Sequence, residues 1–321
     1  MDEQLQHFRD YPMGPGIRSW IGLKPEEYTG ASGHQVPEAR RAEFSDWMIE
    51  LAKEREPTDL DELTRLVDEL LGMDLPMVGL RLIDFNRSLW SGADFRGLLT
   101  EGISSMLASE LGRAEDCFRK AQELSPLEPA PYVNLIQILQ HDDRWDESEL
   151  WLKAGFKAEK NHIPLWELYH RHIQVHLDES QIPSKLLELA QDLDSWAGMS
   201  LFAECSPDSN PKTKSNLLEG FYHKGERSEE FLTEFTGAIG VAGEYERIPP
   251  LVWQAQKLSS SVSWQLLLHG AQAHLALDQK SAFIKSGTAL LRHPELPPEI
   301  KTQLNDMIKE VKQELSEDSL N

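Results

Sequence analysis

An apolar quartet recurs along this chain about every 34 residues, and few folds accept such a rhythm. The quartets are Leu63/Leu66/Val67/Leu70, Tyr132/Leu135/Ile136/Leu139, Trp166/Tyr169/His170/Ile173, Leu232/Phe235/Thr236/Ile239 and Trp264/Leu267/Leu268/Ala271. Members of each stand at i, i+3, i+4 and i+7, which places them on one face of an α-helix. Leading residues fall at 63, 98, 132, 166, about 199, 232 and 264, giving steps of 35, 34, 34, 33, 33 and 32. A period of that size fits a helical hairpin that cannot bury its apolar face alone and stacks on its neighbours. The pattern predicts an all-α solenoid.

The flanks and joints follow from local chemistry. Residues 1–37 read as an extended Pro/Gly-rich strap, because Pro12, Gly14, Pro15 and Gly16 argue against a helix. Tyr11, Trp20, Ile21 and Tyr28 argue that part of this strap packs on the folded body, the rest being disordered. Phe44, Trp47, Met48 and Leu51 mark an N-terminal helix within 38–57, with helical order beginning near Pro37 and Glu56-Pro57 ending it. Thr58 or Asp59 caps the helix after it. About seven hairpins fill 58–293, and the fourth, about 196–226, is degenerate. Its Cys205–Pro211 stretch inserts a loop, and Glu219 stands where an apolar anchor belongs. A capping helix and tail occupy 294–321, with Ile300, Leu304, Met307, Ile308, Val311 and Leu315 on one side.

Over 95–128 the pattern becomes specific. Gly102, Ala114 and Ala121 are small residues where two helices cross, Phe118 is an aromatic between them, and Pro126 comes after the second helix. In this the chain resembles the tetratricopeptide repeat family, most clearly over 95–160. The resemblance implies a right-handed superhelical solenoid of such hairpins, with an extra N-terminal helix and a C-terminal capping helix. It also implies a protein or peptide partner on the concave face, lined by first-helix residues off the packing quartet. Those residues include Arg96, Leu99, Ile103 and Met106, then Val133, Asn134, Gln137, Gln140 and His141, then Glu167, Arg171 and Gln174, with Thr233, Gly237, Gln265, His269 and Gln272 farther on. Some family members clamp a peptide's terminal carboxylate with Lys, Asn and Arg. The matching positions here are Leu99, Ile103, Asn134, Pro164 and Leu168, of which only Asn134 agrees, so that mode is disfavoured.

Composition narrows the partners. The chain carries 54 Asp plus Glu against 32 Lys plus Arg, a net charge of −22, which repels phosphate backbones and anionic lipid. Nucleic acid and membrane are therefore not expected partners, and a basic protein face would suit the surface. Two distant cysteines, Cys117 and Cys205, and a start without a basic, apolar leader fit a cytoplasmic protein. His162, His170, His172 and His176 cluster, but two imidazoles four apart make half a metal site at most. With no nucleotide loop or nucleophile motif, the expected function is a non-catalytic docking scaffold without cofactor or metal. A chaperone for secretion or assembly of one client is the alternative. A metal-dependent enzyme or regulatory subunit using the 162–176 histidines is a more distant one. Leu99, Ile103 and Met106 form an apolar stripe that needs a cover, and the strap around Trp20 is the expected one. Truncating an anchor of the repeat should be costly: Leu135→Ala is expected to lower stability by about 2–5 kcal/mol in a denaturant titration.

Overall fold

The protein is described by a computed structural model covering residues 2–29, 38–90, 94–259 and 261–318. Among these residues it contains nineteen α-helices and no strand. The chain divides into two compact units, Met1–His172 and Ile173–Asn321.

In the first unit, α1 (Asp2–His7), α2 (Pro15–Ile21) and α3 (Glu38–Glu54) precede the repeats. The helix pairs are α4 (Leu60–Gly72) with α5 (Pro76–Phe85), α7 (Phe95–Leu107) with α8 (Leu111–Leu124), and α9 (Pro129–His141) with α10 (Trp145–Ala158). A single turn, α6 (Arg87–Trp90), leads into α7, and α11 (Ile163–His176) comes after α10. Each pair reverses through a residue with positive φ: Asp74, Ser109 and Asp143, one repeat apart. Short polar side chains tolerate this left-handed backbone, which explains acidic and hydroxyl residues at the turns. Asp59 caps α4 by accepting from the Glu62 amide at 2.8 Å, and Asp94 caps α7 through the Gly97 amide at 3.0 Å.

The second unit repeats the plan. It holds α12 (Ile182–Asp192), α13 (Trp196–Cys205), α14 (Pro211–Lys224), α15 (Glu229–Val241), α16 (Ile248–Leu258), α17 (Trp264–Ala276) and α18 (Lys280–Leu290). The last helix, α19 (Pro298–Asp318), covers α18 through Leu304, Ile308 and Val311. Gly243 and Asp278 provide the positive-φ turns after α15 and α17. The degenerate stretch still forms a hairpin, α13 with α14, and the misplaced Glu219 accepts a 2.7 Å hydrogen bond from Arg247.

The N-terminal segment corrects the expectation of an extended strap. Pro15 is the first residue of α2, where a missing amide hydrogen costs nothing. The next two amides, Gly16 and Ile17, donate to the two carboxylate oxygens of Glu69, each at 2.8 Å. A Cβ on Gly14 or Gly16 would lie 2.4 or 2.6 Å from that carboxylate, so a larger residue at either place would push the Glu69 side chain off these amides. Phe8 and Tyr11 pack on Phe44 and Trp47 of α3, the Tyr11 and Phe44 rings stacking 4.1 Å apart. Ile17, Trp20 and Ile21 enter the same core. The strap's residues 30–37, including the expected helix start at Pro37, lie outside the described residues.

Two contacts hold neighbouring helices together. At the α7/α8 crossing, a Cβ on Gly102 would come 2.4 Å from the buried Phe118 ring, so this close approach needs a bare Cα. On the second helices, arginines bridge carboxylates of successive pairs. Arg113 holds Asp84 at 2.9 Å, while Arg144 binds both Glu115 at 2.7 Å and Glu147 at 2.6 Å. Arg119 joins the same two glutamates.

These contacts generate two predictions. Gly102→Ala should destabilise the protein by about 1–3 kcal/mol through overpacking, read as a lower denaturant midpoint at unchanged slope. The hydrogen bonds from Arg144 and Arg119 hold Glu115 and Glu147 below the ordinary carboxylate value of 4.5. Since the unfolded chain then binds more protons, the stabilisation is complete above 4.5 and is lost as pH falls through the lowered folded values. Changing both glutamates to Gln should flatten the acid limb of the melting profile and cost about 0.2–1 kcal/mol per pair at neutral pH.

Candidate functional site

The residues expected to line a docking face in the first unit have different fates. Arg96 is exposed and paired with Asp68. Gln137, His141, Glu167 and Arg171 are exposed on α9 and α11, as is Gln174 beyond the division between units. Asn134 is half-buried and donates to the Ala130 carbonyl of its own helix at 2.9 Å. Gln140 is a correction: it is buried, and its amide nitrogen bonds Ser148 Oγ at 3.2 Å and the Leu168 carbonyl at 3.0 Å. It ties α9 to α10 and α11 and offers nothing to a partner. Leu99, Ile103 and Met106 are a second correction. They are half-buried against the cluster of Ala114, Phe118, Leu135 and Ile138, so their own hairpin and the next one cover them in part. Trp20 belongs to the core around α3 and α4 instead.

The clustered histidines differ in exposure. His172 is buried with its ring 6.0 Å from that of Trp145, whereas His176 is exposed. Among the described residues no three His, Cys, Asp or Glu side chains converge to hold a metal ion. Cys117 is buried, and burial together with the Glu101 charge pushes its thiol up to about 12. Such a group is no nucleophile at neutral pH.

The second unit holds the more telling geometry. Its first helices, α13, α15 and α17, lie side by side. Trp196 meets Phe231 at a ring separation of 5.7 Å, and Thr236 Oγ1 lies 2.9 Å from His269 Nδ1. Two depressions open on either side of α15 and share Gly237 and Val241 as walls. One, about 680 Å³, is lined mainly by apolar and glycine residues of α15, α16 and α17, with Thr236, Tyr245, His269 and Gln272 as its polar members. The other, about 460 Å³, runs between α13, α14 and α15 and contains Glu204, Lys214 and Glu234.

The polar side of the groove is an organised cluster. Lys214 Nζ bridges Glu234, at 2.5 Å, and Glu204, while Ser200 Oγ donates to Glu234. Burial alone would raise Glu234 and lower Lys214. The hydrogen bonds and charge between them win, leaving Glu234 below and Lys214 above its ordinary value. Both stay charged, and two carboxylates against one ammonium leave the cluster one negative charge in excess.

On the other side, the Thr236 hydroxyl sits 2.8 Å from the Leu232 carbonyl, to which its single proton goes. With that proton on the carbonyl the hydroxyl accepts from His269 Nδ1–H, and in that tautomer Nε2 is an acceptor. Burial lowers the His269 pKa from 6.5, with Glu234 opposing, so the ring is neutral at physiological pH.

Sequence reading placed Gly237, His269 and Gln272 on a docking face but missed Ser200, Glu204, Lys214 and Glu234. A signal was present, since Ser200 and Glu234 stand one repeat apart, as Thr236 and His269 nearly do.

No protein-family model and no curated protein matches the chain. Among solved structures, yeast Tom70 is similar at a TM-score of 0.51 and 12% identity, over 97% of this chain and 69% of that one. A tetratricopeptide repeat protein from Parabacteroides merdae matches 78% of this chain with 98% of its own, at 9% identity and a TM-score of 0.40. The Cut9–Hcn1 hetero-tetramer of the APC/C matches 85% of this chain with 52% of its own, at 13% identity and a TM-score of 0.39.

Proposed function

We propose, from a fold that is a tetratricopeptide-type array of α-hairpins, that this protein is a non-catalytic docking scaffold. The groove across α15 in the second unit receives a segment of a partner protein. Arrays of this kind present the rigid, extended surfaces that peptide segments use.

One observation carries the assignment to this groove. Gly237 and Gly240 lie inside α15, where each costs about 1 kcal/mol of helix stability relative to alanine. Packing does not demand them, since an added Cβ would meet its nearest neighbours at 3.5 and 3.8 Å, ordinary contact distances. Gly102, by contrast, is held bare by the Phe118 ring 2.4 Å away. What the two α15 glycines do is keep the cavity wall open along a helix already carrying polar groups on both flanks. Excess negative charge at Glu204 and Glu234 favours a partner segment with a basic residue at that end.

A photo-crosslinking amino acid tests the reading. Val241, 74% exposed, lines both depressions, and Trp253, 57% exposed, is an outward-facing control on α16. Val241 should cross-link one recurrent protein from the native lysate, and Gly237→Trp should abolish that product without lowering the melting temperature. Equal yields from both positions, or a product indifferent to Gly237→Trp, would remove the groove from consideration.

A further inference from the structure

The larger depression has a chemical preference of its own. His269 Nε2 makes no hydrogen bond among the described residues, and it belongs to a half-buried ring fixed through Nδ1 by Thr236. The ring lines the depression of about 680 Å³, whose other walls include Gly237, Ile248, Ala273 and Leu275 beside the polar Thr236, Tyr245 and Gln272. Nε2 is not one of the buried side-chain atoms left without a partner, so solvent reaches it, and a ligand that replaces that solvent must bring a donor on a carrier that welcomes an apolar wall.

We infer that this pocket takes a tryptophan or tyrosine side chain of the partner segment, its N–H or O–H donated to His269 Nε2. The inference rests on the docking role proposed for the groove. Indole and phenol combine a large apolar body with one neutral donor. An ammonium or guanidinium would lose hydration against the apolar wall and finds carboxylates at the other end of the groove, where Glu204 and Glu234 stand. Phenylalanine fills space but leaves Nε2 unsatisfied. The groove thus reads two features in order along the segment: a cation near Lys214 and a donor-bearing aromatic near His269.

The test uses the intact protein and two capped peptides, acetyl-Gly-Trp-Gly-amide and its 1-methyltryptophan counterpart, which differ by the indole proton. Nuclear magnetic resonance tracks the His269 ring signal, assigned by its disappearance in His269→Phe. The unmethylated peptide should shift that signal and bind at least about fivefold more tightly than the methylated one, the order expected for one net hydrogen bond. In His269→Phe the difference between the peptides should vanish.

A second measurement does not depend on that variant folding. When the ring is protonated in the wild-type protein, Nε2 becomes a donor, so the preference should disappear below the lowered His269 value. Glu234, itself held below its ordinary value by Lys214 and Ser200, is the charged group acting on this ring, and Tyr245 is the other titratable side chain lining the cavity. Equal binding of the two peptides at neutral pH, or a preference that persists after protonation, overturns the assignment. Free indole binding as tightly as the peptide does so too, by pointing to a small-molecule site. If Val241 still cross-links a partner in any of these cases, the docking role stands and only the choice of side chain falls.

Discussion

Phe118 lies across the bare backbone of Gly102 with no room for a methyl group between them. That approach sets how closely α7 and α8 cross, and the hairpin is the element that everything else repeats. Once two helices are joined so tightly, their outer faces are fixed in orientation. The apolar quartet on α4, Leu63, Leu66, Val67 and Leu70, is then wholly buried. What remains for each hairpin is to register against the next, and this is done by polar groups: arginine bridges between second helices and hydroxyl–carboxylate or hydroxyl–imidazole bonds between first helices.

The periodic part of this structure was readable because a helix face repeats in sequence as it does in space. Tyr132, Leu135, Ile136 and Leu139 are all in the core, as are Leu232, Phe235, Thr236 and Ile239. Two kinds of feature were hidden. The helix at Pro15 depends on a carboxylate more than fifty positions away, Glu69, which replaces the acceptors a helix start lacks. A local reading of Pro and Gly sees only breakers there. Gln140 and the stripe of Leu99, Ile103 and Met106 fall on an open face by the family resemblance and by helical phase, and neither says how far the next hairpin leans over.

Polar residues one repeat apart held information that a search for apolar periodicity discards. Asp68 with Thr100, Ser200 with Glu234, and Thr236 with His269 each span one step of the array and meet in space. In a stacked architecture such pairs are the equivalent of cross-strand neighbours in a sheet. Reading them together would have drawn attention to the second unit, where the cluster around Glu234 and the neutral imidazole at His269 give the groove two chemically distinct ends. Arginine bridges between second helices occur in both units, Arg144 to Glu115 in the first and Arg247 to Glu219 in the second.

This lateral matching constrains how such a chain can vary in length. One residue gained or lost inside α15 would rotate the remainder of that helix by about 100° and separate Glu234, Thr236 or both from their partners on the flanking helices. The segment between α13 and α14 carries no such obligation, and there Pro211 and the Asn210 cap restart the helix whatever precedes them. A change of length is thus better absorbed in that joint than within a helix, and the helices behave as fixed-length rungs.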